Sequence, residues 1–470
     1  MMFSVIIVAC NDDDDFSSSA SLRLAFSCDT ISFDTIFTTV ASSSNGAMVY
    51  NRNSNSLRIN SVELMSGGES GFRILVDGQY GTYMRDLEIR SKDSLYLFCE
   101  VTLPENKASR PVQLLDTVRF TLESGVQQDV ILSACGRDVT FLRAITVRAD
   151  SVITPGHYVV YDSLVVAPGA TLTIEQGTTL YFHDNVPLVV RGALSAVGTK
   201  DEPVVFRGDR TDNIFSYLPY DRLPGQWEGI TLASTSNGNT LEFCDIHSAD
   251  YGIKLEPGDS TVQRLTMNAS RLENFYGHAL ELYQAHARVT NTLIANAGGN
   301  CVRVVGGDVE FVHCTIANFF VYTVRDVALT LHNSYGTTAA PLYGADFVNC
   351  IITGVKKDEI MGYLTNLGDT VPGCINYHFE NSLINTVVGE DENFLDVVVD
   401  ESSVSPFAKE HFVSIDHDMF LYNFHITEGS TARAAGNDAA LDDELLRYDK
   451  DGVERRVGEV DAGCYQYVTE

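Results

Sequence analysis

Four residues in the second half of the chain have side chains that could carry acid–base chemistry. Asp245, His247 and Asp250 lie close together in the sequence, and His278 follows Gly277 further along. Carboxylates and imidazoles can protonate a glycosidic oxygen or abstract an acidic proton next to a carboxyl group. Because no N-T-D, G-H-G or R-I-K run accompanies them, we assign no catalytic residue and retain these four as candidates.

An aromatic segment provides a different kind of site. Phe215, Tyr217 and Tyr220 follow one another within a short stretch that precedes Trp227. Tyrosine and phenylalanine rings can stack on the flat faces of sugars, while nearby amides and carboxylates bond to hydroxyl groups. We therefore predict these three residues as ligand-binding residues, with packing against the rest of the fold as the alternative.

The sequence provides no strong metal-binding pattern. Asp449-x-Asp451-Gly452 resembles the start of a calcium loop, but Val460 stands where an EF-hand needs glutamate. His411, His417 and His425 lack the spacing of helical metal ligands. No C-x-x-C occurs. We expect a structural turn at Asp449, solvated histidines and no cofactor.

The charge of the chain limits its partners. Its 32 Lys and Arg residues against 63 Asp and Glu residues give a net charge of −31. Phosphate backbones require a positive surface, so we exclude nucleic acid as a partner. An acidic polysaccharide would bind only if Ca²⁺ bridged its carboxylates to those of the protein.

A repeat defines the elements that must position these residues. The segments that begin at Ser270, Thr292 and Cys314 follow one another at a spacing of 22 residues, each with an aliphatic residue two positions on and an asparagine two beyond that. A fixed period of this length is typical of a solenoid, whose coils bury their core only by stacking. We expect Cys244, Cys314 and Cys350 to point inward in one register. The asparagines at 274, 296 and 318 should form a ladder that satisfies turn backbone.

The amino-acid sequence of these coils supports a specific fold. The stretches Leu164–Ile174, Gly192–Thr199 and Gln226–Leu232 resemble coils of right-handed parallel β-helix proteins, the pectin lyase-like fold. The resemblance implies a β-helix over residues 151–400. Residues 401–470 contain Asp449-Lys450-Asp451-Gly452 and a later arginine, and they are similar to the closing segment of many bacterial β-helix proteins. We expect them to cap the far end of the stack.

The N-terminal part has a different pattern. Apolar and polar residues alternate in short segments separated by turn signals such as Asn45-Gly46 and Asp77-Gly78. This pattern predicts an antiparallel, immunoglobulin-like β-sandwich over residues 28–150. The sequence of this part resembles an N-terminal module of Bacteroidota surface lipoproteins. The resemblance rests on Phe33–Thr39, Ser70–Ile74 and Lys92–Phe98.

Residues 1–27 contain a possible attachment site. Ile7-Val8-Ala9-Cys10 resembles a bacterial lipobox, in which the cysteine is acylated and becomes the mature N-terminus. The aspartates from Asp12 to Asp15 resemble the acidic tether of Bacteroidota lipoproteins. Since no Lys or Arg precedes Cys10, we interpret residues 1–9 as the end of a truncated signal, with a buried strand as the alternative. The resemblance implies lipidation at Cys10 and an outer-membrane, cell-surface location.

These observations together predict a lipid-anchored surface protein that is all-β, with a sandwich, a β-helix and a cap. The expected role is non-catalytic binding of a glycan or of extracellular matrix, or adhesion. Two alternatives stay open. The first is a polysaccharide lyase or glycoside hydrolase, because such enzymes occur on this fold, although a fold does not imply an activity. The second is a structural accessory subunit of an outer-membrane complex.

Overall fold

The computed structural model describes residues 16–108, 110–215, 217–363, 365, 375–389, 391–400 and 407–469. Cys10 and the acidic run after it therefore lie outside the described residues. The chain forms two compact units, and the boundary lies between Val139 and Thr140. This boundary precedes the expected one at residue 151, because Thr140–Val147 already pairs in parallel with Gly156–Val166.

The first unit is a sandwich of two five-stranded sheets. In spatial order the first sheet contains Ala25–Phe26, Asn45–Tyr50, Ser94–Val101, Phe72–Val76 and Gln79–Gly81. The second sheet contains Thr30–Phe37, Gln127–Arg137, Val112–Leu122, Leu57–Leu64 and Tyr83–Ile89. All pairings are antiparallel except the one between the first two strands of the second sheet. Phe72 and Phe120, one from each sheet, are fully buried, so the core lies between the sheets as the alternating pattern predicts.

The second unit is a parallel β-helix built from one continuous set of 26 paired strands. Each coil contributes strands to three faces, which we name A, B and C in the order in which a coil passes through them. Each strand of a face pairs in parallel with the strand of the same face in the next coil. This arrangement confirms the predicted all-β fold class.

Two pairs of long strands bend from one face to the next. Thr140–Val147 and Gly156–Val166 pass from face C to face A, and Leu280–Thr290 and Val302–Val312 pass from face A to face B. The remaining strands of face A are Pro187–Val190, Gly229–Leu232, Ile253–Leu255, Leu329–His332 and Ile360–Tyr363. Those of face B are Ser151–Ile153, Thr171–Glu175, Ala193–Val197, Asn239–Glu242, Gln263–Asn268, Leu342–Val348, His378–Glu380 and Phe394–Leu395. Those of face C are Thr178–Phe182, Val204–Gly208, Cys244–His247, Arg271–Phe275, Leu293–Ala297, Thr315–Asn318, Ile351–Gly354, Leu383–Ile384 and Val398–Val399.

The remaining elements are short. Three hairpins pair Asn213–Phe215 with Leu218–Pro219, Ser334–Tyr335 with Thr338–Ala339, and Phe412–Asp416 with Leu421–Ile426. The helical segments are one α-helix, Phe407–Glu410, and three 3₁₀ turns, Tyr220–Arg222, Asp438–Asp442 and Glu444–Leu446. Within the described part of the chain, no helix is long and apolar enough to cross a membrane.

The 22-residue spacing corresponds to stacked coils. Leu272 pairs with Ile294, and Ile294 pairs with Ile316, along face C. All three side chains are fully buried in the β-helix core. The predicted inward register of Cys244, Cys314 and Cys350 is also confirmed, since all three are buried in the same core.

Aromatic rings form a second inward row on face B. The rings of Phe311, Phe347, Phe379 and Phe394 stack in sequence with centroid separations of 5.0, 4.9 and 5.1 Å, and successive ring planes differ by 10° or less. Parallel strands repeat at roughly 4.8 Å, so rings at equivalent positions of neighbouring coils are brought to stacking distance.

The asparagine row differs from its prediction in one respect. Asn274 and Asn296 adopt left-handed backbone conformations, with φ values of 65° and 56°. Asn296 donates to the Glu273 carboxylate and accepts from the Phe319 N–H, whereas Asn318 donates to the Ala297 carbonyl. The side chains of Asn296 and Asn318 bond to turn backbone as predicted, but these bonds do not join one asparagine of the row to the next.

The described part of the closing segment, residues 407–469, packs along the side of the β-helix. Outward-facing Leu293 and Ala317 of face C pack with Phe412 and Phe424 of residues 407–469. Backbone groups near the C-terminus bond to face C over several coils, as in the Cys464 N–H bond to the Thr315 hydroxyl at 3.1 Å. In the coils from Leu293 to Leu383 the outward positions of face C are mainly apolar, and this segment buries them. The sequence predicts an end cap here, and the contacts that the structure describes for this segment run along face C as far as the last coil, where Val398 packs against it.

The arginine of the closing segment has the predicted structural role. Arg455 is buried and donates to the carbonyl oxygens of Leu446 and Tyr448. The Asp449 carboxylate accepts the backbone N–H groups of Asp451, Val453 and Gln466 at 2.7–2.8 Å. These bonds make the Asp449 loop a turn held by its own backbone.

Candidate functional site

The predicted site residues of the second unit lie near one corner of the β-helix, where face C strands end and face A strands begin. In parallel sheets the carboxyl ends of neighbouring strands lie along the same edge, so the turns that follow them are neighbours. The longest of these turns follows Val204–Gly208 and contains the hairpin of Asn213–Phe215 and Leu218–Pro219. The turn of the next coil follows Cys244–His247 and contains Asp250. We call this edge the C–A corner.

The hairpin presents two aromatic rings to solvent. The rings of Phe215 and Tyr217 stack with their centroids 5.7 Å apart and their planes 15° apart. Phe215 is 55% exposed and Tyr217 is 48% exposed. Leu218 pairs with Phe215 across the hairpin and is buried, which anchors the hairpin to the unit. A nearly parallel, exposed pair of rings is a surface on which a flat apolar ligand can lie.

Tyr220 has a different environment from the other two predicted ligand-binding residues. It starts the 3₁₀ turn Tyr220–Arg222 and is half-buried. The Arg210 guanidinium lies 3.8 Å from the centre of its ring and also forms two hydrogen bonds with Asp212, at 2.6 and 2.7 Å. The structure therefore brings Phe215 and Tyr217 together and places Tyr220 at the base of the loop.

Asp245 and His247 belong to a network of charged groups. Arg271 donates two hydrogen bonds of 2.9 Å to the Asp245 carboxylate. The ring of His247 lies between two carboxylates, with Nδ1 3.1 Å from Asp245 and Nε2 2.8 Å from Asp221. Arg207 extends the network with a 2.9 Å contact to Asp221. Both ring nitrogens thus face hydrogen-bond acceptors.

This environment fixes the protonation of the pair. Burial by itself would lower the pKa of His247, but the carboxylates of Asp245 and Asp221 outweigh it and raise the pKa to about 9. Burial would raise the pKa of Asp245, but the charges of Arg271 and His247 hold that pKa well below its usual range. A protonated imidazole that donates from both nitrogens has no lone pair to accept a proton. Near neutral pH, Asp245 and His247 therefore form an ion-paired cluster and not an acid–base pair.

Asp250 and His278 are not hydrogen-bonded to this network. The backbone N–H of Asn300 donates to the Nδ1 atom of His278 at 2.8 Å, and the Arg303 guanidinium lies 3.3 Å from Nε2. Burial is the main cause of a lowered pKa at His278. Burial, together with the negative charge of Asp184, raises the pKa of Asp250. Asp245 and His247 therefore share one ion-paired cluster, and neither Asp250 nor His278 is hydrogen-bonded to it.

A polar cluster that was not predicted from the sequence lies on the outer surface of face A. Glu281 accepts hydrogen bonds from Arg303 at 3.1 Å and from the Tyr283 hydroxyl at 3.0 Å. The ring of His332 stacks on Tyr363 at 4.7 Å. Burial, with the charge of Arg303 next, lowers the pKa of His332 to about 4. Glu281 and Arg303 are 22 residues apart and pair in adjacent coils. Applying the 22-residue spacing to outward-facing positions would therefore have predicted this pair.

The histidines of the closing segment have separate partners. His411 contacts Asp400 at 3.3 Å, and His425 contacts Asp451 at 2.9 Å. His417 lies near the Tyr422 hydroxyl at 3.5 Å. Across the residues that the structure describes, no three His, Cys, Asp or Glu side chains are grouped so that they could hold a metal ion.

No protein-family model matches the chain. A region of 124 residues is 36% identical to Protein bark beetle of Drosophila melanogaster, but it spans 24% of this chain and 4% of the fly protein. The matched region therefore covers a small part of each of the two proteins.

Three solved structures illustrate the structural similarities. The catalytic unit of a GH87 alpha-1,3-glucanase from Streptomyces thermodiastaticus is similar over 75% of this chain and 74% of its own, at 11% identity and a TM-score of 0.31. A family 123 glycoside hydrolase from Clostridium perfringens is similar over 24% of this chain and 26% of its own, at 10% identity and a TM-score of 0.18. A PapD-like domain of human CEP192 is similar over 29% of this chain and 97% of its own, at 10% identity and a TM-score of 0.18. At these scores, the fold assignment rests on the strand pairing of the chain itself.

Proposed function

We propose that this protein binds glycans at the cell surface without cleaving them, and that the Phe215–Tyr217 pair is the contact surface of the second unit. The observation that carries this proposal is the exposed stacking of the two rings on a hairpin that projects from the C–A corner. Two large apolar rings left in water cost free energy unless a partner covers them.

The chemistry of the hairpin matches a sugar chain. The C–H face of a pyranose is flat and apolar, and it packs well on an aromatic ring. Arg210 and Asp212 lie in the same loop and are partly exposed, so they can bond to hydroxyl groups at the edge of the sugar. Aromatic platforms with polar neighbours are typical of ligand sites that combine apolar contact with oriented hydrogen bonds.

Binding is favoured over catalysis because of the state of the candidate acid–base residues. Asp245 and His247 neutralise each other within the charged network, and the backbone occupies one nitrogen of His278. The Asp250 side chain forms no hydrogen bond with any of the other three candidates, so it has no partner for acid–base chemistry among them. A lyase or hydrolase needs two such groups on one substrate.

The Phe215→Ala/Tyr217→Ala double variant tests the binding site. Removing both rings is expected to reduce retention on affinity gels that contain soluble polysaccharides by about tenfold or more, since each ring contact contributes roughly 0.5–1.5 kcal/mol beyond its buried area. The melting temperature should stay unchanged because the rings are exposed.

The matched control is Tyr335→Ala/Tyr343→Ala, which removes two other exposed aromatic rings of the same unit. The comparison uses a polysaccharide that retains the unchanged protein. If the Phe215→Ala/Tyr217→Ala variant is retained equally well by it, this site is refuted. New reducing ends or unsaturated uronates produced from the same panel would favour a hydrolase or lyase. Absence of retention, with co-purification of an outer-membrane protein, would favour the accessory-subunit role.

We further propose attachment through a lipid on Cys10 to the outer membrane, on the strength of the lipobox-like sequence alone. Two or more acyl chains on one residue give stable membrane anchoring. In a Bacteroidota host, Cys10→Ser is expected to shift the protein from the membrane fraction to the soluble fraction. Continued membrane fractionation of this variant would contradict the proposed anchor.

A further inference from the structure

We propose that the first unit carries a second, independent saccharide site on the outer surface of its first sheet, and that this site takes a single neutral pyranose ring. The site goes beyond the function proposed above because it lies in the other unit and uses none of the residues of the C–A corner. It is a cleft of about 270 Å³ lined by Ser44, Arg73, Leu75, Tyr80, Phe98, Cys99 and Glu100.

The strand register makes the apolar floor of the cleft. Phe98 pairs with Leu75 of one neighbouring strand, and Leu75 pairs with Tyr80 of the edge strand. Side chains at paired positions lie on the same side of a sheet, so these three form one row across its outer surface. Phe98 is 43% exposed and Tyr80 is 62% exposed.

A glycine allows a second ring to complete the floor. Gly46 pairs with Phe98 on its other side. A side chain at Gly46 would lie 2.5 Å from the ring of Tyr96 and 2.2 Å from the Leu97 carbonyl. Without one, the Tyr96 ring lies over Gly46 with its centroid 4.1 Å from that of Phe98. The rings of Tyr96 and Phe98 therefore form an aromatic pair that extends the apolar floor beside Leu75.

Polar groups form one wall of the same cleft. Glu100 pairs with Arg73 in the adjacent row, and the Tyr80 hydroxyl donates to the Glu100 carboxylate. The Arg73 guanidinium is held by donation to the carbonyl oxygens of Phe72 and Gly68, at 2.6 and 3.3 Å. The wall thus combines a fixed acceptor, a fixed donor and a hydroxyl group beside an apolar floor.

Size and polarity together identify the ligand class. Pockets for drug-sized ligands measure roughly 300–1,000 Å³, so this cleft fits one ring and not a folded partner. A purely apolar ligand would leave the charged wall desolvated without hydrogen bonds, at a cost in free energy. An anion would meet the Glu100 carboxylate. A neutral pyranose satisfies both parts, with its C–H face on Phe98 and its hydroxyl groups toward Glu100 and Arg73.

The test uses the full chain and saturation-transfer NMR with four probes: D-glucose, D-galactose, D-mannose and N-acetyl-D-glucosamine. We expect at least one of them to receive saturation from the unchanged protein. We expect the Phe98→Ala and Glu100→Gln variants each to weaken that binding by about tenfold or more, which corresponds to roughly 1.4 kcal/mol. Tyr83→Ala is the matched control, because Tyr83 is an exposed ring on the other sheet of the same unit.

Two variants separate this site from the C–A corner site and from damage to the sheet. The Phe215→Ala/Tyr217→Ala variant should bind the monosaccharide as the unchanged protein does, so failure of the C–A corner site would leave this result untouched. Glu100→Gln keeps the size of the side chain, so it decides the matter if Phe98→Ala perturbs the sheet. No saturation transfer to any of the four sugars, or undiminished transfer in Glu100→Gln, would overturn the proposal.

Discussion

Replacing Glu359 with alanine is expected to lower the free energy of unfolding of the second unit by about 3–5 kcal/mol. The Glu359 carboxylate is fully buried and accepts two hydrogen bonds from Arg325, at 2.5 and 3.1 Å. It also accepts the backbone N–H groups of Ala328 and Lys356, at 2.9 and 2.7 Å. The substitution would leave the buried Arg325 guanidinium, the buried N–H of Ala328 and the partly buried N–H of Lys356 without their acceptor.

The position of Glu359 explains why so large an effect is expected. Its backbone N–H donates to Asn385 and its carbonyl accepts from Leu329, so the residue joins three successive coils. Gly354 makes room for the carboxylate, because a side chain there would lie 2.3 Å from a Glu359 oxygen. The irregular turns near residues 325 and 356 have no repeat of their own, and this carboxylate holds both of them.

The measurement is urea unfolding followed by circular dichroism. Glu310→Ala is the control, since Glu310 forms an exposed ion pair with Arg288, and such pairs contribute about 0–1 kcal/mol. The double variant Arg325→Met/Glu359→Leu should recover part of the loss, because it removes both charges together. A loss in Glu359→Ala no larger than that in Glu310→Ala would show that the buried pair does not hold the turns.

Raising the pH is expected to destabilise the second unit through His247. The folded protein holds the pKa of His247 at about 9, above the ordinary value of 6.5, so the folded state binds the proton more tightly than the unfolded state. The stabilisation is therefore complete below pH 6.5 and is lost as the pH rises to about 9. The difference corresponds to about 3 kcal/mol at most.

The His247→Gln variant isolates this contribution. Glutamine can still bond to both Asp221 and Asp245, but it carries no charge, so the loss of stability between pH 6.5 and 9 should disappear. The variant should also be less stable than the unchanged protein at pH 6, since two carboxylates then face each other without the intervening cation. Urea midpoints measured across the pH range report both effects.

The control for pH dependence is His378→Gln. His378 contacts Asp346 at 3.0 Å, but its side chain is largely exposed, so solvent screens the pair. Its substitution should leave the pH profile unchanged. A profile that stays steep between pH 6.5 and 9 in His247→Gln would mean that another group carries the dependence.

The sequence by itself determined the fold, because the signal for each unit repeats along the chain. The 22-residue spacing of Leu272, Ile294 and Ile316 places one buried side chain per coil, and the structure stacks them in that order. The alternation in the first unit likewise gives two sheets with a buried core. Periodic burial is decided by neighbours in sequence and in the next coil, so it can be predicted without knowing how loops run.

The sequence also identified the exposed aromatic loop but not how its members differ. Phe215 and Tyr217 stack in solvent, whereas Tyr220 packs under Arg210. The difference depends on the hairpin, which forms inside an insertion where no repeat constrains the backbone. Residue type and spacing could indicate an aromatic ligand surface. Only the path of the loop decides which of its rings are exposed and which are packed.

Tertiary structure alone decided the charged contacts and the position of the closing segment. Asp221 reaches His247 from the insertion of the preceding coil, Glu359 meets Arg325 across a loop of irregular length, and Glu100 meets Tyr80 across strands. Residues 407–469 cover the later coils of face C because the outward positions there, such as Leu293 and Ala317, are apolar. Such pairings depend on the three-dimensional course of non-repeating segments, where a small change in loop length moves a charge to a different partner. The periodic positions have no such freedom, and this is why the sequence predicts them and not the contacts between loops.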